Sequence, residues 1–186
     1  MRYDADSGLH VDNWHDTAEQ RRKLLAEHGL DGSPVAKLDQ FATEVSFGFA
    51  AELGDPGKRL WAMVNLFLPK AQTFAGLHNP PGARPVDRTM APDHGFCPEM
   101  LDRTKALVLA DVWDKPQFAS NPVVDRLGVR TYAGAPLILG DTVVGSVCVV
   151  GTRPMPKETR QTSLTLIKQR RDALLKLLDQ HNPATS

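Results

Sequence analysis

Two N-terminal stretches carry apolar residues at every third or fourth position, a spacing that places them on one face of an α-helix. The first runs from Trp14 to His28 and stops at Gly29, whereas residues 1–12 are polar and predict a loose tail. The second begins after Ser33-Pro34, which predicts an N-cap followed by proline in the first turn, and ends at the turn-forming residues 54–57. Its apolar stripe consists of Leu38, Phe41, Ala42, Val45, Phe49 and Leu53.

Continuous apolar runs replace this spacing in the middle of the chain. Residues 60–68 and 72–77 predict a pair of strands, and the proline-rich residues 79–92 predict a loop. Residues 96–104 predict a helix, because Cys97, Met100 and Leu101 have helical spacing. Residues 106–112 predict a buried strand, and residues 114–127 a loop with one short helix at most.

The clearest hairpin pattern joins residues 129–139 to residues 142–150. The two residues between them, Gly140-Asp141, are typical of a tight turn that needs a positive φ at its first position. Gly145 lies inside the second strand, where a glycine favours the close approach of another backbone. With a last helix over residues 157–181, the order of elements predicts an α+β domain flanked by helices.

The last helix carries a heptad stripe, which we call the C-terminal stripe. It consists of Leu164, Ile167, Arg171, Leu174 and Leu178. A heptad stripe at the end of a chain favours a homodimer. The alternative is that the helix packs back on its own domain or against residues 14–28.

Composition and charge narrow the class of protein. A chain of 186 residues predicts one domain, and 22 basic against 22 acidic residues exclude a strongly basic nucleic-acid-coating or membrane-surface role. The N-terminus lacks the apolar run of a secretory signal, and no apolar stretch approaches the ~20 residues of a membrane helix. Two cysteines provide no disulfide framework. We expect a cytoplasmic protein that binds neither nucleic acid nor membrane.

Three motifs in the second half of the chain resemble those of the GAF domain, the small-molecule sensor module of bacterial signalling proteins. They are FASNPVV at residues 118–124, VRTYAGAPL at residues 129–137 and VGSVCVV at residues 144–150. Upstream, residues 110–113 and the segment DHGFC at residues 93–97 resemble further motifs of the family, so that the resemblance spans about residues 35–155. Gly151 departs from it, because the family usually has an aspartate at this position.

The resemblance implies an antiparallel sheet of five or six strands with helices on both faces. It also implies a ligand pocket between the sheet and residues 79–127, and dimerisation through the flanking helices. We therefore divide the chain into an N-terminal tail and helix (1–32), a sensor domain (33–155) and a C-terminal helix with a short tail (156–186). Because no further domain follows the last predicted helix, we expect the response to reach a partner signalling protein, unless the domain acts alone as a binder.

Eight residues are candidates for binding the small molecule. They are Phe96, Cys97, Asp111, Trp113, Phe118, Asn121, Arg130 and Tyr132. Most have a structural alternative. The aromatic residues suit a core as well as a pocket wall. Asn121 before proline is a strong turn signal, and its functional interpretation is that it holds a pocket lid in place. Arg130 suits an anionic ligand, but it also suits an ion pair with Asp111 or Asp125.

The two cysteines have different expectations. Cys97 follows His94 by three residues, so a helix would allow the histidine to activate the thiol, although free cysteines are usually buried and inert. Cys148 lies among valines and predicts core packing. A disulfide between them requires Cα atoms within about 7 Å, which the sequence leaves open.

The principal hypothesis is a non-enzymatic ligand-sensing domain. The alternatives are a redox or haem sensor that uses Cys97 and His94, and an enzyme like the free methionine sulfoxide reductases, which share this fold. The enzyme hypothesis is weakened because residues 114–120 lack the cysteine that those enzymes carry there. No cofactor is expected, because His94 and Cys97 provide only two ligands for a metal or haem.

Overall fold

A six-stranded antiparallel sheet forms the centre of the computed structural model, which describes residues 2–4, 9–11, 14–55 and 59–179. The strands are β1 (Arg2–Asp4), β2 (Leu9–Val11), β3 (Leu60–Phe67), β4 (Gln72–His78), β5 (Thr89–Met90), β6 (Leu107–Leu109), β7 (Thr131–Leu139) and β8 (Thr142–Gly151). The helices are α1 (Ala18–Glu27), α2 (Ala36–Glu52), α3 (Glu99–Arg103), α4 (Pro116–Ala119), α5 (Pro122–Leu127) and α6 (Arg160–Asp179). The sheet has the order β5-β4-β3-β8-β7-β6, which confirms the expected antiparallel α+β fold.

The long helices cover one face of the sheet, which we call the helical face. Helix α2 packs against β3 and β4, and α6 packs against β6, β7 and β8. Alternate residues of β3 from Leu60 to Leu66 point into this core, together with most of the predicted apolar stripe of α2. Period-two alternation in the strand and helical spacing in α2 thus produce one continuous apolar layer.

The opposite face, which we call the loop face, is covered by short elements. Helices α3, α4 and α5 and residues 79–98 lie over it. The other apolar residues of β3, Trp61, Met63 and Phe67, belong to this second core. Helices therefore lie on both faces, as the resemblance implied. Only the helical face is covered by long regular elements.

The β7–β8 hairpin has the predicted two-residue connection. Leu139 pairs with Thr142, and Gly140 has a φ of 59°, in the left-handed region that favours glycine. Gly145 also has the predicted close approach, since a Cβ atom there would lie 2.1 Å from the Asn65 carbonyl oxygen. β8 is thereby held tightly against β3 at the centre of the sheet.

The C-terminal stripe faces the sheet of its own domain. Ile167, Leu174 and Leu178 are buried in the core of the helical face, with Leu164 partly buried against it. The structure therefore shows the alternative, packing of α6 on its own domain, and not a free seam at this stripe. Homodimerisation stays a prediction. The division into residues 1–32, 33–155 and 156–186 stays a prediction.

Several element boundaries differ from the predictions. Helix α1 begins at Ala18. Helix α2 begins at Ala36 with Val35 as its N-cap, in place of the predicted Ser33, whose N–H donates to Asp31 Oδ1 (2.8 Å) in the preceding turn. Residues 2–4 and 9–11 pair as strands, where a loose tail was predicted. The strand β5 likewise lies in the predicted 79–92 loop. Strand β6 is shorter than predicted, and the predicted end of the last helix, residues 180–181, lies outside the described residues.

Residues 112–127 contain more helix than predicted. A 3₁₀ turn (Val112–Asp114) precedes α4 and α5, and Asp111 caps the turn by accepting a hydrogen bond from the Trp113 N–H. Helices α4 and α5 both have proline in their first turn, where the missing N–H costs no hydrogen bond within the helix. In the part of the chain that the structure describes, no helix is long and apolar enough to cross a membrane.

Candidate functional site

Five of the eight candidate residues meet on the loop face. Phe96, Cys97 and Tyr132 line an apolar cavity of about 40 Å³, which Met63 and Cys148 also line. Phe118 touches this wall, since its ring meets Phe96 edge-on with the centroids 5.7 Å apart, and Phe96 in turn meets Tyr132 at 5.4 Å. The edge-on contacts fix the positions of the three rings around the cavity.

Asn121, the fifth residue, holds the cavity wall in place. Its side chain is fully buried, caps α5 by accepting from the Val123 N–H, and forms two hydrogen bonds of 3.0 Å with the N–H and carbonyl of Gly95. Gly95 immediately precedes Phe96 and Cys97 in the chain. The predicted turn role is thus present, and the same amide joins the helix to the segment that carries two cavity residues.

The two cysteines of the chain lie together at the cavity. Their Sγ atoms are 3.4 Å apart, and both cysteines are free. The Tyr132 hydroxyl lies 3.5 Å from Cys97 Sγ, and Cys148 Sγ lies 3.7 Å from Met63 Sδ. Gly134 gives the tyrosine this position, because a Cβ atom there would lie 2.0 Å from the phenol oxygen.

The predicted partnership of His94 with Cys97 is replaced by these contacts. Helix α3 begins only at Glu99, so the two residues do not share a helical turn. His94 Nδ1 lies 3.1 Å from Asp93 Oδ1, and its ring lines a separate outer cleft. Cys148, which the sequence predicted to be core packing alone, is buried and is also the neighbour of Cys97.

The surroundings of the two thiols shift their pKa values in opposite directions. Hydrogen bonding with the Cys148 thiol lowers the pKa of Cys97 below its ordinary value, against the effect of burial, and the hydrogen bond from Tyr132 acts in the same direction. The same contact with Cys97, together with burial, raises the pKa of Cys148. Burial raises the pKa of Tyr132, which keeps its hydroxyl a donor. Cys97 is therefore the more acidic thiol of the pair.

Three buried polar residues on the loop face were missed by the sequence reasoning. The Asn65 amide donates to Gln72 Oε1 (2.7 Å), and Gln72 Nε2 donates to the carbonyls of Ala91 and His94 (2.7 Å each). Asn65 Oδ1 and Ser146 Oγ are buried without a hydrogen-bond partner among the described residues. Asn65 and Ser146 are the polar residues inside the apolar runs 60–68 and 143–150, and this interruption is the sequence signal that could have predicted a polar site there.

An outer cleft of about 340 Å³ lies next to the apolar cavity. It is lined by charged and polar residues, among them Arg84, Asp87, His94 and Arg126. Cavity and cleft share three wall residues, namely Met90, Val123 and Leu127. An apolar chamber and a polar mouth therefore adjoin on the loop face, between the sheet and residues 79–127.

The other three candidates, Asp111, Trp113 and Arg130, form a separate cluster. The Arg130 guanidinium binds Asp111 through two nitrogens and stacks over the Trp113 ring at 3.9 Å, while Trp113 is 60% exposed. Hydrogen bonding from Arg130 lowers the pKa of Asp111. The ion-pair alternative is thus observed, with Asp111 as the partner. A third cleft of about 410 Å³, lined by Asp111, Asp114 and Lys157, lies beside this cluster.

Metal ligands are not grouped in the described ranges. No three His, Cys, Asp or Glu side chains there could hold an ion together. The chemistry available on the loop face is that of two thiols, a phenol, a hydroxyl and amides around an apolar chamber.

Comparison with known proteins places these features in a family. Residues 53–169 match the family model described as GAF domain, which covers more than half of the 186 residues. A search of curated proteins found no match.

Solved structures are similar to this chain in fold. A methyl-accepting chemotaxis protein (residues 122 to 287, TM-score 0.53, 15% identity) covers 75% of this chain and 89% of its own. The blue-light absorbing form of the Thermosynechococcus elongatus PixJ GAF domain (TM-score 0.50, 12% identity) covers 77% and 89%. The type II free methionine-R-sulfoxide reductase from Thermoplasma acidophilum (TM-score 0.50, 13% identity) covers 78% and 97%.

Proposed function

The chain belongs to the GAF-domain family, and from that premise we propose that it is a non-enzymatic sensor that binds a small molecule on the loop face of its sheet. The observation that carries the proposal is the pairing of the apolar cavity with the outer cleft through Met90, Val123 and Leu127. Small-molecule sites combine apolar walls with a few polar groups, typically in about 300–1,000 Å³. The cleft of about 340 Å³ falls in this range.

The two chambers indicate the kind of ligand. The cavity of about 40 Å³ accommodates only a small apolar group, so most of the ligand lies in the cleft. Arg84 and Arg126 give the cleft mouth two guanidinium groups against the single carboxylate of Asp87. We therefore propose a compact organic molecule with an anionic group at the arginines and an apolar end towards Met90.

The response would travel through the sheet. Helix α5 and the loop segment that Asn121 holds lie on the ligand side, while α6 packs against β6, β7 and β8 on the other side. A ligand that binds one arrangement of the loop face better than another shifts the population towards that arrangement. Helix α6 is the element through which we propose that a partner signalling protein senses the shift.

Thermal unfolding with a library of nucleotides and organic acids tests the proposal. A ligand at 100 times its Kd stabilises the folded state by about 2.7 kcal/mol and raises the Tm by about 5–10 °C. Ala91 is exposed and lines the cleft, so Ala91→Trp fills the site at little cost to folding. The shift should disappear in this variant.

Ala26→Trp is the matched control, because Ala26 is an exposed alanine on α1 outside the cleft. It should retain the full shift. Absence of a shift with every compound in the wild type, or an equal shift in Ala91→Trp, would contradict binding at this site.

The enzymatic alternative makes a different prediction. The paired thiols favour it, because reduction of a sulfoxide by two thiols yields the sulfide, a disulfide and water. Residues 114–120 contain no cysteine, and for this reason we propose a sensor. Turnover of free methionine sulfoxide by the wild type, lost in Cys97→Ser, would favour the enzyme instead.

A further inference from the structure

The two cysteines of the chain are 51 residues apart in sequence, yet their sulfurs are in contact. Cys97 lies just before α3, and Cys148 lies in the middle of the central strand β8, where it pairs with Met63 and Gly134. Their Sγ atoms are 3.4 Å apart on one wall of the apolar cavity. No local sequence pattern requires this contact.

We propose that Cys97 and Cys148 are an oxidative modification site, at which a hydroperoxide converts the two thiols to an intramolecular disulfide. The inference goes beyond ligand sensing and depends only on the geometry of the thiols. Its chemical partner is hydrogen peroxide or a small organic hydroperoxide.

The groups around Cys97 suit the nucleophile of this reaction. The Tyr132 hydroxyl donates to its sulfur at 3.5 Å. Hydrogen bonds to a charged acceptor are stronger than those to a neutral one. This donor therefore stabilises the thiolate, which is the reactive form of a cysteine.

The cavity gives a small oxidant access to the thiols. A cavity needs about 10–15 Å³ to hold a water molecule, and this one measures about 40 Å³. Met90, Val123 and Leu127 line both this cavity and the outer cleft. Movement of the Met90 side chain, the most flexible of the three, would open the path.

The reaction balances in two steps. The Cys97 thiolate attacks the terminal peroxide oxygen, the O–O bond breaks, and the products are a Cys97 sulfenic acid and, after protonation of the leaving oxygen, water from hydrogen peroxide or an alcohol from an organic hydroperoxide. The Cys148 sulfur then attacks Cys97 Sγ and loses its proton, and the sulfenic oxygen leaves as water, which is the second water where the oxidant is hydrogen peroxide. Two thiols are oxidised by two electrons and one peroxide is reduced.

Closing the disulfide requires a small movement. The sulfurs must approach from 3.4 Å to about 2.05 Å. Cys148 is held between β3 and β7, so the shift falls on Cys97 and the first turn of α3. Because that segment also contributes Phe96 to the cavity wall, oxidation would change the shape of the cavity.

Peptide mapping of the full chain tests the site directly. The reduced protein is treated with hydrogen peroxide, denatured, alkylated and cleaved with trypsin. Cys97 lies in the peptide 89–103 and Cys148 in the peptide 131–157, since trypsin does not cut between Arg153 and Pro154. We expect these peptides as a cross-linked pair that has lost two hydrogen atoms and separates on addition of a thiol reductant.

Recovery of both peptides as alkylated thiols, or of Cys97 as a sulfinic acid without a cross-link, would overturn the proposal. The mapping contains no ligand, so a negative ligand screen leaves its outcome unchanged. In Cys148→Ala we expect no cross-link and a Cys97 sulfenic acid that dimedone traps.

Removal of the tyrosine hydroxyl tests the role of the donor. Tyr132→Phe removes the hydroxyl that lies 3.5 Å from Cys97 Sγ and should slow disulfide formation about tenfold, the effect of losing a hydrogen bond to a charged group. Ser163→Ala is the control, because Ser163 is also a buried hydroxyl residue but lies on α6 and bonds Met155 Sδ. Equal rates in the two variants would remove Tyr132 from the proposed site.

Discussion

The two faces of the sheet are built from the same strands but differ in how their buried polar atoms are hydrogen-bonded. On the helical face, α2 and α6 lie over apolar residues, and the buried hydroxyls there have partners: Ser46 bonds the Leu60 carbonyl and Ser163 bonds Met155. On the loop face, Asn65 Oδ1 and Ser146 Oγ are buried and find no hydrogen-bond partner in the part of the chain that the structure describes, next to a cavity and two thiols. Apolar packing and partnered hydroxyls stabilise the helical face, while buried polar atoms of the loop face can still accept or donate hydrogen bonds.

The difference indicates where stability and function reside in this fold. Long helices bury a continuous stripe and leave no room for a ligand. Short helices joined by loops leave gaps, and the polar groups beneath them can bind another molecule or stabilise a charge. The effects of substitutions on the free energy of unfolding should therefore differ between the two faces in size and even in sign.

The largest effect is expected in the core of the helical face. Leu174 is fully buried there, so Leu174→Ala removes packed methyl groups and should lower the free energy of unfolding by about 2–5 kcal/mol in urea titrations. Lys176→Ala, an exposed change on the same helix, should stay within about 0.5 kcal/mol. An unchanged stability in Leu174→Ala, with loss of a dimer, would restore the dimer interpretation of the C-terminal stripe.

Equivalent serine substitutions should have opposite signs on the two faces. Ser46→Ala removes a 2.7 Å hydrogen bond to a buried carbonyl and should lower the free energy of unfolding by about 1 kcal/mol. Ser146→Ala removes a buried hydroxyl that has no partner among the described residues, so it should leave stability unchanged or raise it. Urea titration of both variants measures the difference, and an equal loss in both would contradict the contrast between the faces.

The smallest effect is expected at the Asp111–Arg130 pair. Because Arg130 lowers the pKa of Asp111 in the folded state, the carboxylate stabilises the fold above about pH 4 and this contribution is lost as the pH falls through the folded pKa. Asp111→Asn should therefore cost up to about 1 kcal/mol at neutral pH, and the difference from wild type should vanish on acidification.

Urea titrations of wild type and Asp111→Asn, at neutral pH and again at a pH below the folded pKa of Asp111, measure this change. Asp55→Asn, at a more exposed pair with Arg153, is the control and should show a smaller loss at neutral pH. A difference between wild type and Asp111→Asn that is constant with pH would show that the side chain acts through packing and not through charge.

The predictable parts of the structure depend on local patterns. The α2 stripe, the β7–β8 hairpin and the cap at Asn121 each require residues that are near one another in sequence. The features that were predicted incorrectly depend on contacts between residues far apart in the sequence. The C-terminal stripe has the spacing of a dimer seam, but the same spacing suits a helix on a sheet, and only the strands under α6 distinguish the two.

The sequence by itself determined the order of elements, the GAF resemblance and five residues that do meet at one site, because periodicity, turn chemistry and motif spacing are local properties. The tertiary structure alone decided which side chains face each other across that site. It separated Asp111, Trp113 and Arg130 from the cavity, replaced His94 with Cys148 as the neighbour of Cys97, and brought Asn65 and Ser146 beneath the loops. Contacts between β8 and the segment before α3 arise from strand order, which no spacing within either segment records.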